Sequence, residues 1–156
     1  MTGVDMAASM VAPCGTDVLF AEVEDLSRYP DWLTIVPRAE PTTRDATDPG
    51  PVWMVELRGR MGPLARSKRL RMVRTVHEPL RQARFERREL DGREHSSWVL
   101  DAVVRPADES SSILEMSLHY GGPFGGGLIE KLLREEIEAS RPRLAERVSA
   151  TDTPRS

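Results

Sequence analysis

Two arginines fall on the apolar faces of predicted strands, where a charged side chain needs a partner. Strict alternation places Arg74 on the same face as Met72, and it places Arg87 on the same face as Phe85. Because a buried charge must be compensated, each guanidinium could pair with a carboxylate, as Arg87 could with Glu89. Alternatively, an arginine could anchor the carboxylate or enolate of a bound molecule through its planar donors. Both interpretations stay open.

The other reactive side chains indicate no familiar chemistry. His95 falls near a predicted turn and His119 on the outer face of a predicted strand, and no His-Cys-carboxylate spacing indicates a metal site. Cys14 has no base beside it in the sequence, which fits a buried structural thiol. The sequence contains no Gly-x-Ser-x-Gly motif of a serine hydrolase. We therefore expect no metal and no cofactor, and no catalytic residue is assigned.

The N-terminal part predicts one strand and two short helices. Residues Val4 to Ala12 alternate weakly and predict a strand at a sheet edge. Apolar residues then recur at helical spacing from Val18 to Leu26, with a cap near Thr16. A second short helical turn carries Trp32, and Pro30 suits its first turn because proline lacks the N–H that would have no helical partner there.

A run of strand-like segments follows, and each alternates between apolar and polar residues. Such one-sided strands in short connections predict an antiparallel sheet with one dry face. A tight hairpin turn is expected at Asp91-Gly92, and Leu70, Met72 and Val76 are expected on one face. The predicted strands are one short strand within Pro37–Pro51, one around Trp53–Arg58, and then Arg66–His77, Gln82–Leu90, His95–Arg105 and Ser111–Tyr120.

A glycine-rich joint, Gly121–Gly127, leads from the last strand into a helix of about 22 residues, or roughly 33 Å. Its apolar stripe contains Ile129, Leu133, Ile137, Ser140, Leu144 and Val148, widened by Leu128 and Leu132. Pro142 lies inside this helix and should kink it. The joint could be a hinge at a cavity mouth or a plain loop. The order of elements predicts an α+β fold in which a curved antiparallel sheet wraps around the C-terminal helix.

Composition limits the class of protein. The 156 residues suffice for one domain, expected over residues 1–149, with a polar, disordered tail at 150–156. Hydrophobic residues make up 39% and charged residues 30%, which is ordinary for a globular domain. We find no secretory signal and no apolar run long enough to span a membrane, and we expect a cytoplasmic monomer or weak homodimer.

A basic run between Arg66 and Arg88 raises the question of nucleic-acid binding. It has few interleaved aromatic residues on which bases could stack. The formal net charge of −3 gives no general reason to expect such binding either. A solvated outer face of the sheet is the favoured interpretation, and no nucleic-acid partner is expected.

Three segments resemble the START-like superfamily, and more narrowly its bacterial polyketide cyclase/dehydrase-type members, often labelled SRPBCC. They are Pro13–Phe20 (PCGTDVLF), Asp25–Leu33 (DLSRYPDWL) and the helix Leu128–Leu144. The resemblance covers about Met6 to Val148. It implies the helix-grip fold, with two short helices after the first strand. Some similar sequences, which share Leu-Thr-Ile after Trp32 and His-Tyr-Gly-Gly-Pro before the last helix, carry a toxin label from a toxin–antitoxin pair.

A helix lying across a curved sheet leaves an apolar space between the two, and this space is the predicted ligand site. A packed core is the competing interpretation for any single residue. The expected ligand-binding residues are Trp32, Trp53, Val55, Leu57, Leu70, Met72, Arg74, Phe85, Arg87, Trp98, Leu100, Leu114, Met116, Leu118, Tyr120, Leu128, Ile129, Leu132 and Leu133.

Three functions are carried forward. The first is non-catalytic binding of a small hydrophobic molecule, such as a lipid, polyketide or aromatic, by a carrier or sensor. The second is a polyketide cyclase or aromatase, in which an arginine, tyrosine or tryptophan orients and polarises a carbonyl. The third is the toxin component of a toxin–antitoxin pair.

Overall fold

The computed structural model describes residues 4–61, 64–122 and 127–151. Within them, seven antiparallel strands form one curved sheet in the order β1-β7-β6-β5-β4-β3-β2. A long C-terminal helix packs against β1 and β3, which confirms the predicted α+β helix-grip architecture. The elements are β1 (Val4–Ala12), α1 (Thr16–Val23), a 3₁₀ helix (Leu26–Asp31), β2 (Arg38–Thr42), β3 (Val52–Met61), β4 (Leu64–Glu78), β5 (Gln82–Arg87), β6 (Ser97–Pro106), β7 (Ser112–Gly121) and α2 (Gly127–Thr151).

The two short helices are present, but their boundary differs from the predicted one. Helix α1 starts after Gly15 without a side-chain cap and ends at Val23. Asp25 then adopts an extended backbone, and its side chain accepts a 2.9 Å hydrogen bond from the backbone N–H of Ser27. This cap starts a new helix at Leu26. Pro30 therefore lies near the end of the second helix, and its predicted place in the first turn is wrong.

Strand β4 follows the predicted alternation up to a β-bulge. Leu70 and Met72 face the core, but the register against β5 shifts between Arg74 and Val76. One extra residue in a strand reverses which face the following side chains occupy. Val76 consequently pairs with an outward-facing residue of β5, and its predicted place beside Met72 is wrong. His77 takes the inward face, where its ring stacks on Phe20 at 5.8 Å.

The connection between β5 and β6 is a loop rather than a tight hairpin. Gly92 has a φ of 72°, as a turn glycine should. The flanking strands end at Arg87 and begin at Ser97, however, so the turn does not join them directly. The carboxylate of Glu89 accepts hydrogen bonds from the Arg87 Nε (2.7 Å) and from the backbone N–H of Arg71 (3.2 Å). These contacts hold the segment after Arg87 in place, although it no longer pairs as a strand of the sheet.

Helix α2 carries its apolar stripe as predicted and runs through Pro142. Leu133, Leu144 and Val148 are buried against the sheet side, together with Ser140. No helix in the described ranges is both long and apolar enough to cross a membrane. Most of the glycine joint, residues 123–126, lies outside the described residues, and so do residues 152–156 of the predicted tail.

Candidate ligand cavity

A cavity of about 120 Å³ lies between the concave face of the sheet, the 3₁₀ helix and α2. Apart from Ser9, Ser117, Ser140, Glu136 and Arg141, the described residues that line it are apolar or aromatic. Strands from both halves of the sheet contribute, because alternate residues of each strand point to the concave side. An apolar space thus remains where the helix does not fill the curve of the sheet.

Much of the predicted lining comes together in this cavity. The side chains come from the 3₁₀ helix end, from β3, β4, β6 and β7, and from α2. The predicted residues that line the cavity are Trp32, Val55, Leu57, Leu70, Met72, Trp98, Leu100, Leu114, Met116, Leu118 and Leu133.

Other predicted residues lie elsewhere in the structure. Trp53 packs edge-on against Phe85 at a ring distance of 5.6 Å, and both are buried in the solid part of the core. Tyr120 is buried beside Trp98, with ring centroids 4.6 Å apart. The cavity lining also does not include Leu132, Arg74 or Arg87, and the side chains of Leu128 and Ile129 lie outside the described residues.

Arg74 is directed toward the end of helix α1. Its Nη1 donates a 3.0 Å hydrogen bond to the carbonyl oxygen of Glu24, the C-cap residue of α1. A cation at this position satisfies an orphan carbonyl and complements the helix dipole. Burial lowers the pKa of Arg74, against the opposing effect of the Glu24 and Asp25 carboxylates. The observed contacts of Arg74 therefore stabilise the fold.

The nearly buried side chain of Arg87 is held by a hydrogen-bond network. Its Nε lies 2.7 Å from the carboxylate of Glu89. Its Nη1 donates to both the carbonyl and the hydroxyl oxygen of Ser96, at 3.1 Å each. Lys68 joins the same hydroxyl at 3.2 Å, and burial together with the charge of Arg87 lowers the pKa of Lys68. The carboxylate pairing considered from the sequence is thus the arrangement seen for Arg87.

The hydroxyl of Tyr29 is already engaged at the edge of the cavity. It donates a 3.0 Å hydrogen bond to the carbonyl oxygen of Val23. Burial, reinforced by the charges of Asp101 and Asp25, raises the pKa of Tyr29 well above its ordinary value of 10.0. The phenol therefore stays protonated and holds the 3₁₀ helix against α1.

The cavity includes residues that the sequence analysis missed. Strand β1 contributes Met6, Ala8 and Met10, which stand opposite Leu118, Met116 and Leu114 of β7. The alternation of these residues in the sequence was a usable signal for one face of β1. The alanines and the serine of the same segment weaken the contrast between the two faces. Ser9 of β1 and Ser117 of β7 also border the cavity. The other residues come from irregular or helical segments, and they are Leu26, Tyr29, Leu33, Ile35, Val36, Glu136, Ile137, Ser140, Arg141 and Leu144.

Several arginines of the basic run are paired with carboxylates. Arg71 is buried and forms a two-pronged contact with Asp48, the shorter arm measuring 2.6 Å. Arg84 lies 3.4 Å from Asp101. These carboxylates are distant in sequence, so the residues within the run do not reveal the pairing. The prediction that nucleic acid does not bind stays a prediction.

The architecture is similar to that of solved structures with little sequence identity. A START superfamily protein from Mycobacterium smegmatis is 15% identical, with a TM-score of 0.72 over 94% of this chain and 98% of that one. The Zhui aromatase/cyclase from Streptomyces sp. R1128 is 9% identical, with a TM-score of 0.69 over 94% of both chains. The ginseng major latex-like protein 151 from Panax ginseng is 11% identical, with a TM-score of 0.65 over 99% of this chain and 100% of that one.

No protein-family model and no curated protein matches this sequence. At such low sequence identity, the likeness to these solved structures shows the fold alone. The sheet order, the two short helices after β1 and the long α2 all agree with them. The chain therefore has the helix-grip fold of START-like proteins, as the resemblance of its sequence implied.

Proposed function

We propose that this protein binds a small hydrophobic molecule in the cavity between the sheet and α2, as a carrier or a sensor. The observation that supports this most directly is an apolar space of about 120 Å³ beside a tightly packed aromatic core. Protein interiors leave few voids larger than a water molecule. A well-formed apolar cavity with a few polar groups is the usual form of a small-molecule site.

The size of the cavity favours a compact ligand. An engineered apolar cavity on the order of 150 Å³ stays dry and binds benzene. The volume here is comparable, so a single aromatic ring or a short branched chain fits without rearrangement. A longer lipid or a multi-ring molecule requires α2 to move away from the sheet or the ligand to extend past Glu136 and Arg141.

The polar groups of the lining favour binding over catalysis. In the described lining, the ionisable groups besides Tyr29 are Glu136 and Arg141, both from α2. The Tyr29 hydroxyl is committed to the Val23 carbonyl. General acid–base catalysis needs a titratable group within reach of the reacting atoms, and few are available around this apolar volume.

A cyclase or aromatase acting on a polyketide-like substrate is the second candidate. The likeness in fold to an aromatase/cyclase is compatible with it, and Arg141 and Glu136 would be the groups to test. No feature of the described residues favours a toxin, so that role is not proposed. Cytoplasmic location and the monomeric or weakly dimeric state stay predictions.

Two neighbouring alanines of β1 provide a matched test. Ala8 lines the cavity opposite Met116, whereas Ala7 is exposed on the other face of the strand. Ala8→Leu places three more carbons in the cavity, and Ala7→Leu places them outside it. Binding of benzene, toluene and short fatty acids is measured by calorimetry and by the shift in melting temperature.

We expect the unsubstituted protein and Ala7→Leu to bind the ring probes alike, and Ala8→Leu to bind at least about tenfold more weakly. If no apolar probe binds, or if a folded Ala8→Leu binds as well as Ala7→Leu, the proposal is wrong. Where the ring probes bind as expected, native mass spectrometry of protein purified from its own host would identify the natural ligand as an added mass.

A further inference from the structure

The cavity is lined by side chains whose buried hydrogen-bond donors have no acceptor. Among the described residues, Trp32 Nε1, Trp98 Nε1 and Arg141 Nε are buried atoms without a hydrogen-bond partner, and all three side chains line the cavity. The fourth such atom, Arg74 Nε, belongs to a residue outside the lining. Every one of these groups is a donor. Native structures rarely leave buried polar groups unpaired, so each such group calls for an explanation.

Trp32 provides the strongest case. Its side chain is almost completely buried, with 2% of the residue exposed. The indole packs on the ring of Tyr29 at 4.8 Å, and the Tyr29 hydroxyl is oriented by its own bond to Val23. Indole can only donate a hydrogen bond, and a buried indole N–H usually finds a partner. An acceptor brought into the cavity would supply it.

Trp98, in the sheet, is a second lining residue with an unpartnered indole N–H. It comes from β6, packs on Tyr120 at 4.6 Å and lines the cavity together with Leu100. Two indole side chains from different parts of the chain therefore line one apolar volume, and the buried N–H group of each lacks an acceptor among the described residues. An oxygen with lone pairs and no proton to donate matches such donors. A pure hydrocarbon leaves them unpaired, and an ammonium group brings further donors that the indoles cannot accept.

We propose that the cavity ligand is an apolar molecule bearing a carbonyl oxygen, which accepts a hydrogen bond from Trp32 Nε1, with Trp98 Nε1 as a second donor. This inference rests on the proposed function and narrows it to carbonyl-bearing ligands. Trp32 and Trp98 then determine specificity by selecting the oxygen, while the apolar lining selects the carbon skeleton. Discrimination of this kind is strong because the wrong ligand leaves buried donors unsatisfied.

Two probes of nearly the same shape measure the contribution of the carbonyl oxygen to binding. Acetophenone and α-methylstyrene differ in having C=O or C=CH₂ beside the ring, and both are near the size that the cavity accepts. Each is titrated into ¹⁵N-labelled protein while the three indole Nε1–H cross-peaks are followed. Trp53 is the internal control, since it is 5% exposed and packs on Phe85 outside the lining.

We expect acetophenone to bind about tenfold more tightly than α-methylstyrene and to move the Trp32 cross-peak downfield. The Trp53 cross-peak should stay in place. Trp32→Phe keeps an aromatic ring but removes the first of the two donors, so its preference for acetophenone should be much reduced, whereas Trp53→Phe should keep the preference. The downfield shift is read on the unsubstituted protein, so the test does not depend on Trp32→Phe folding.

The outcomes separate the two proposals. If both probes bind equally and the Trp32 cross-peak does not move downfield, the carbonyl inference is wrong while apolar binding stands. If neither probe nor any other apolar compound binds, the proposed function is wrong and the inference falls with it.

Discussion

The Nε of Arg147 lies 2.8 Å from both carboxylate oxygens of Glu22, joining α2 to α1. Glu22 is 3% exposed, and it also lies 3.3 Å from Arg28. Arg147 in turn reaches Asp31 at the end of the 3₁₀ helix, at 3.0 Å. This charged cluster fixes the C-terminal part of α2 relative to the two short helices. The helix that covers the cavity is therefore anchored at one end by polar contacts.

Removing the carboxylate charge at this anchor should destabilise the fold. Glu22→Gln removes the buried counter-charge that Arg147 and Arg28 share. Loss of one partner of a buried pair costs several kcal/mol, but the Arg147 side chain is 34% exposed. We therefore expect a decrease of about 2 kcal/mol in the free energy of unfolding, measured by urea denaturation.

Glu115→Gln is the matched control. Glu115 pairs with Arg105 at 2.6 Å, but both side chains are about half exposed. Exposed pairs contribute little, so this variant should lose less than about 0.5 kcal/mol. Equal losses in the two variants would show that the Glu22 cluster does not anchor α2.

The buried contact between Asp48 and Arg71 should make stability depend on pH. The hydrogen bond from Arg71, helped by the backbone N–H of Asp45, lowers the pKa of Asp48 below its ordinary value of 3.8. A carboxyl group whose pKa is lowered by folding stabilises the native state above its unfolded pKa. That contribution is lost as the pH falls through the folded pKa.

We therefore expect Asp48→Asn to be destabilised at pH 7 and to differ less from the unsubstituted protein as the pH falls below about 4. Urea unfolding at a series of pH values between 7 and 2.5 measures the difference. Glu109→Gln, in the exposed loop between β6 and β7, removes a charge without a buried partner and should show no such convergence. A constant difference between Asp48→Asn and the unsubstituted protein would contradict the assignment.

The turn between β4 and β5 contains a strained residue. Arg81 donates from its backbone N–H to the carbonyl of Glu78 at 3.0 Å, and Pro79 and Leu80 are the central residues. Leu80 has a φ of 63°, which fits the third position of a type II turn, a place that favours glycine. A left-handed conformation costs a side-chain-bearing residue about 1–2 kcal/mol.

Leu80→Gly should relieve this strain and raise the free energy of unfolding. The gain should not exceed about 1 kcal/mol, because glycine loses more backbone entropy on folding and this offsets part of it. Leu80 is 49% exposed, so little packing is lost. Thermal unfolding measures the gain, and binding of ring probes should not change because the turn does not border the cavity. A lower melting temperature would mean that the exposed leucine makes contacts worth more than the strain.

The alternation of single strands was enough to predict most of the sheet. Val55 and Leu57 on β3 and Leu114 and Met116 on β7 line the cavity because a strand sends every second side chain to one face. Periodicity cannot distinguish a cavity-lining residue from a core residue on that same face. Trp53 shares the face of Val55, yet it packs on Phe85 and does not line the cavity.

Two kinds of information were missing from the pattern. The bulge between Arg74 and Val76 reverses the faces of β4 and has no signature in the residue types there. The connection after the 3₁₀ helix contributes Ile35 and Val36 to the lining without any periodicity. Tertiary contacts also determine which partners the arginines bind. Arg74, for example, donates a hydrogen bond to the end of α1, fifty residues away in sequence.

Truncating a core residue and a cavity residue should separate packing from binding. Phe85 is fully buried and contacts the rings of Trp53 and Tyr29. Phe85→Ala should therefore lose about 3–5 kcal/mol in the free energy of unfolding. Met116 is partly buried and already borders the empty volume, so Met116→Ala should lose about 2 kcal/mol or less. Urea denaturation gives both values.

The same pair should differ in ligand size preference. Met116→Ala enlarges the cavity and should bind a larger probe such as naphthalene more tightly, relative to benzene, than the unsubstituted protein does. Phe85→Ala opens space behind the lining, between Trp53 and Tyr29, and should not change that ratio if it remains folded. If Met116→Ala is the more destabilised variant, the side chain packs tightly and the apolar volume beside it is filled by the protein itself.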